Sequence, residues 1–154
     1  MARDRRGKAG AAVALVVLLF LAPSCGAFRF HHAWSSFEPV EAATGMEGRW
    51  RGEWRSEWNG HSGGLRCVMT RNDAGDYRAW FYSTYASLLF FQHQTIFRVT
   101  AREADVLRFE GEEDLGEMIG GVYRYEGSVE RDSFRATFRA GNGDHGVMEM
   151  RRVE

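Results

Sequence analysis

Five histidines, two cysteines and a run of carboxylates are the groups in this 154-residue chain with chemistry to offer. His31 and His32 are adjacent, but a metal ion needs further ligands held at fixed distances, and no pattern around them supplies any. Glu110, Glu112, Glu113, Asp114 and Glu117 make an acidic run without the spacing of a calcium loop, so "EEDLGEMIG" is expected to be a solvated loop. Cys67 has no base near it in sequence and reads as a small buried hydrophobe, not a nucleophile. His61 follows Asn59-Gly60, a strong hairpin signal because both residues tolerate positive φ, and so belongs to a turn. His93 stands between Gln92 and Gln94 in an otherwise apolar run. One parity of that run therefore turns polar groups inward, where they need hydrogen-bond partners. No catalytic or metal-ligand spacing emerges, and the expectation is a non-enzyme with no metal and no cofactor.

Aromatic side chains offer a different chemistry. Trp50, Trp54 and Trp58 recur every four residues in "GRWRGEWRSEW", with Arg49, Arg51, Glu53, Arg55 and Glu57 between them. Strict alternation puts the tryptophans on one face of a strand and the charges on the other. A helix would also stack the tryptophans but would leave no apolar stripe at i+3. Such a tryptophan face is either a wall for a sugar or flat ligand, or a filled core. With Tyr123 and Tyr125 on another inward face, and His93 on one of the two parities of its strand, these tryptophans are the candidate contacts for a small apolar or aromatic ligand.

The elements that must position these residues follow from the same period of two. After "GRWRGEWRSEW" come "GLRCVMTR", "YRAWFYSTY", "LFFQHQTIFRVT", "VLRFEG", "GVYRYEGSV", "SFRATFRA" and "GVMEMRRV", separated by turn signals such as "NDAGD", "AREAD" and "GNGD". Inward sets include Leu65, Cys67 and Met69; Phe134, Ala136 and Phe138; Met148 and Met150. The fold class expected is all-β: an antiparallel up-and-down meander of eight strands over residues 46–154, closing into a small barrel that removes both sheet edges. An open sheet packed on the preceding segment is the alternative.

Residues 1–24 look like a targeting segment. Arg3, Arg5, Arg6 and Lys8 precede the apolar run Ala11–Ala22, which is shorter than the roughly 20 residues that cross a bilayer core. Residues 25–45 hold Pro39 and no clean period, and read as a tether whose aromatics Phe28, Phe30, Trp34 and Phe37 pack on the domain or at a lipid surface. The chain has a formal net charge of −1. Residues 1–24 contain four of its basic residues and one acidic one, so the remainder is mildly acidic. With no basic patch, nucleic acid is not an expected partner.

"LAPSC" resembles the lipobox of bacterial lipoproteins, in which a small residue precedes a cysteine that becomes lipid-linked; Ser24 and Cys25 fit it. That resemblance implies a cell-envelope protein anchored to membrane lipid through Cys25, facing the periplasm or exterior. Ala22 and Ser24 also suit an ordinary signal peptidase, and an uncleaved anchor is a third reading. If Cys25 carries no lipid, it is free to pair with Cys67 in an oxidising compartment. Gly48-Arg49-Trp50 resembles the G-x-W of the calycin group (lipocalins, fatty-acid-binding proteins and avidins). The likeness implies a last-strand arginine lying across that tryptophan, and Arg152 has the parity for it, on the face of Met148 and Met150. "GRWRGE" is similar to the opening of nitrobindin-type haem barrels, with Gly48, Trp50 and Gly52 matching; that likeness implies a haem ligated near the C-terminus, where His145 stands. "GEW…NGH.G.LRC" is also similar to stretches in bacterial envelope proteins of no assigned role.

Overall fold

The computed structural model describes residues 26–38, 45–86 and 89–153. The lipobox-like stretch with Cys25, the rest of residues 1–25 and Pro39 lie outside them. The chain divides between Ser35 and Ser36 into two units.

In the first unit, residues 26–35 form a helix within what the sequence pattern reads as a tether. Phe30 and Trp34, one turn apart, bring their rings to 6.0 Å between centroids, and this single i, i+4 pair is too short a signal to register as a period. His31 and His32 are exposed, and adjacent helical positions diverge by about 100°, so they do not converge on an ion.

The second unit holds eight strands in chain order: β1 (Gly48–Ser56), β2 (Ser62–Arg71), β3 (Tyr77–Tyr85), β4 (Leu89–Glu103), β5 (Val106–Asp114), β6 (Val122–Glu130), β7 (Ser133–Ala140) and β8 (His145–Val153). Each pairs antiparallel with the next, and β1 pairs with β8, so the meander is a closed barrel. Alternation does what the sequence pattern implies. Trp50, Cys67, Phe81, Phe97, Phe109, Phe134 and Met150 are buried inside, while Arg51, Arg66, Arg124, Arg135 and Glu149 lie on the outer face, where Arg135 meets Glu149 at 3.4 Å. Small residues make the closure sterically feasible. Gly52 faces inward where β1 meets β8, and a β-carbon there would overlap the carbonyl oxygen of Glu149.

Three sequence expectations need correction. Trp58 is not on the tryptophan face: it is 57% exposed, beyond the end of β1. Ser56 Oγ accepts hydrogen bonds from the N–H groups of Trp58 and Asn59, each at 3.2 Å, turning the chain before the alternation can continue. The "AREAD" turn is shorter than expected. β4 runs on to Glu103 through a bulge between Val99 and Ala101, leaving Ala104 and Asp105 as the turn, with Ala104 at φ 47°. The acidic run is not one loop either. Glu112, Glu113 and Asp114 continue β5, where Glu112 pairs with Arg124 at 2.8 Å, and a short 3-10 turn, Glu117–Ile119, follows.

The two ends of the barrel differ. At one end Trp50, Phe134, Phe109 and Phe97 form a continuous aromatic stack, with successive centroids 6.0, 5.1 and 4.5 Å apart. Arg152 lies over Trp50, 4.3 Å from the ring centroid, and the two are register partners across the β1–β8 seam. Its guanidinium donates to the carbonyls of Glu47, Gly45 and Arg131, and its Nε reaches Asp132 Oδ1 at 3.0 Å. Trp50 Nε1 donates to Met46 O at 2.9 Å. This end is sealed, with the polar atoms of Trp50 and Arg152 satisfied.

Candidate functional site: a cavity at the open end of the barrel

Toward the other end the inward positions include Gly63, Ser83 and Gly146, and the interior is not filled. A cavity of about 450 Å³ opens there, within the range of pockets that hold a small organic molecule. Its floor is apolar, made by Leu65, Phe138 and Met148. Trp54 from β1 and Tyr85 from β3 form one wall, their rings near-parallel with centroids 6.3 Å apart. Trp54 Nε1 donates to the Thr84 carbonyl at 3.1 Å, which fixes the indole plane. His61, from the β1–β2 turn, meets Tyr85 edge-on at 5.0 Å.

The opposite wall is more polar. Tyr123 and Tyr125, inward neighbours on β6, stack at 6.3 Å. His93 of β4 lies parallel to Phe81 at 5.0 Å, to Phe91 at 5.6 Å and to Tyr125 at 6.3 Å. Its Nε2 is 3.3 Å from the Tyr125 hydroxyl, and its Nδ1 is buried without a hydrogen-bond partner in the protein. Burial pushes the His93 pKa down to about 4, so the imidazole is neutral at pH 7 and its bond with Tyr125 uses a single proton. The Tyr125 hydroxyl is pushed well up, first by burial and then by Tyr123 and Glu113. Tyr123 is raised by burial and by the Asp144 carboxylate, and it donates to Ile119 O at 2.9 Å. Asp144, at the rim, accepts a 2.6 Å bond from Ser56 Oγ.

Of the candidate ligand contacts, the structure brings Trp54, His93, Tyr123 and Tyr125 to this cavity. Trp50 is buried at the sealed end and Trp58 lies outside the barrel. Ser83, Tyr85, Phe91 and Asp144 are also among the lining residues. The first two share the inward parity of Phe81, a signal already present in "YRAWFYSTY"; Asp144, in a turn, carries none. Cys67 is a free, fully buried thiol whose pKa is raised by burial, so it stays protonated. Among the described residues no group of His, Cys, Asp or Glu is arranged to hold a metal ion. His145 does not fit a haem. It has the outward parity of Val147 and Glu149, its Nδ1 is 3.0 Å from Gly143 O, and it does not line the cavity.

No family model matches the chain, and no curated protein matches it. Among solved structures it is similar to a de novo designed fluorescence-activating beta barrel, with a TM-score of 0.51 and 21% identity over 75% of this chain and 100% of that one. The likeness is one of fold. That fold is the eight-stranded antiparallel barrel.

Proposed function

We propose that this chain is a non-catalytic binding module of the cell envelope, whose barrel takes a small, largely apolar ligand in its open end and which is held to membrane lipid through Cys25. The observation that carries the binding part is the cavity of about 450 Å³ with apolar floor and aromatic walls. A purely structural barrel of this length would gain stability by covering that apolar wall with its own side chains, since burying apolar surface is worth about 25 cal/mol per Å². The outer face supports a water-bathed barrel, because Arg51, Arg66, Arg124 and Glu149 stand where a membrane-spanning barrel carries an apolar band. Among the described residues no helix is long and apolar enough to cross a membrane. The anchoring part rests on the lipobox-like "LAPSC" after a basic and apolar leader.

Two measurements test the parts separately. Titration with the neutral solvatochromic dye Nile red should give saturable emission enhancement that Trp54→Ala weakens. A linear, unsaturable signal would refute the binding reading. Cys25→Ser should move the protein from the membrane fraction to the soluble one and block precursor processing, and unchanged membrane association would refute anchoring through this residue.

A further inference from the structure

The inward-facing charges at the open end of the barrel are of one sign. Asp144 lines the cavity, held toward it through Ser56 at the end of β1. Glu113 has the inward parity of Leu107 and Phe109 and is the register partner of Tyr123. The two carboxylates thus lie on the two sides of the Tyr123–Tyr125 wall, and, after burial, Asp144 raises the Tyr123 hydroxyl and Glu113 contributes to raising that of Tyr125. The strand arginines toward this end, Arg55, Arg66, Arg124 and Arg139, have the outward parity, and Arg152 is at the sealed end. No arginine or lysine is among the described residues lining the cavity, and His93 is neutral there. A ligand carboxylate would enter an apolar site beside the Asp144 carboxylate, with no cation in the lining to offset the like charge. An ammonium would meet the reverse: a carboxylate at the rim, and the negative ring faces of Trp54, Tyr85 and Tyr123 around the opening.

We propose that the cavity selects amphiphiles with a cationic head, an amine or quaternary ammonium seated at the rim against Asp144 and the Tyr123 and Trp54 rings, with the apolar body on Leu65, Phe138 and Met148. This rests on the ligand-binding reading above and names the class of ligand. It differs from the choice a barrel makes when an interior arginine binds a fatty-acid carboxylate, because here the interior cation closes the far end.

Three probes with one chain length test it: decyltrimethylammonium, 1-decanol and decanoate, each below its micelle concentration at pH 7.5, competing with Nile red for the wild-type protein. The ammonium should bind at least about tenfold more tightly than the alcohol, and decanoate more weakly than either, as expected when a charge gains or lacks a buried partner. Asp144→Asn, whose amide oxygen can still accept from Ser56, should bring the ammonium-to-alcohol affinity ratio down toward one. Decanoate binding as well as the ammonium, or a ratio unmoved in Asp144→Asn, would overturn the proposal. If 1-decanol binds and the ammonium is no better, cation selection alone falls. If none of the three binds, the ligand-binding reading falls and this inference with it.

Discussion

Arg152→Met removes the guanidinium that seals the barrel, and its cost can be worked from the contacts. The side chain is 15% exposed, so its interactions are poorly screened. Its position 4.3 Å over the Trp50 centroid is a desolvated cation–π contact, worth about 2 kcal/mol. The carbonyls of Gly45, Glu47 and Arg131 lose their donor, at a net cost of about 1 kcal/mol each where water cannot replace it. Arg131 O lies in an exposed setting and is discounted, and so is the pair with Asp132, whose carboxylate is 70% exposed. The loss should be about 4 kcal/mol, a large part of the roughly 5–15 kcal/mol that stabilises a small domain. Urea unfolding followed by circular dichroism measures it. Arg151→Met, one residue earlier on the outer face, should stay within about 0.5 kcal/mol. A double-mutant cycle with Trp50→Phe isolates the ring contact. A loss for Arg152→Met below about 1 kcal/mol, or one no larger than for Arg151→Met, would refute the reasoning; a coupling near zero would leave the hydrogen bonds standing and remove the cation–π contact.

Gly52→Ala should destabilise by about 3 kcal/mol or more in the same urea assay, because its β-carbon meets the β8 backbone, which cannot move without opening the seam; a change under about 1 kcal/mol would show that the seam is looser than this. His93 should make stability pH-dependent. Its folded pKa of about 4 lies below the ordinary 6.5, so its contribution is full above about pH 6.5, and about 3 kcal/mol of it is lost as pH falls to about 4. His93→Gln should remove that slope relative to wild type when both are unfolded in urea across the range. Trp50→Ala should cost about 3–5 kcal/mol, while Trp54→Ala, which lines a cavity already open to solvent, should cost clearly less; equal losses would mean both are core residues.

The barrel is legible in the sequence because each strand states its own inside and outside. Phe134, Ala136 and Phe138 against Arg135 and Arg139 need no partner strand to be read, and Arg152 stands out as a charge on an apolar parity. What is not legible depends on events between strands. Trp58 continues the alternation in sequence, but the Asn59-Gly60 turn and the Ser56 hydroxyl, bonded also to Asp144 far along the chain, end the strand before it. The bulge in β4 answers to its pairing with β5, not to any residue of its own. The cavity is the least legible of all. Parity marks Trp54, His93, Tyr123 and Tyr125 as inward, but whether eight inward rows fill or leave the space between them is decided by how they meet across the barrel.

The β1–β8 seam also sets an order of events. Arg152 bonds to Gly45 and Glu47 across 107 and 105 residues of chain, and the whole β1–β8 ladder has comparable separation. Seven of the eight pairings join consecutive strands and can form as hairpins, on the order of microseconds each. The eighth must overcome the loop-closure entropy of nearly the entire barrel. Folding is therefore expected to be limited by that last zipping step and to run in milliseconds to seconds, as for other high-contact-order β proteins. Until it is complete, β1 and β8 are both bare edges on a sheet whose inner face is rich in phenylalanine. A chain released before β8 (His145–Val153) has emerged would hold β1 and β7 open as edges indefinitely, and its fate would be decided by whatever strand reached them first.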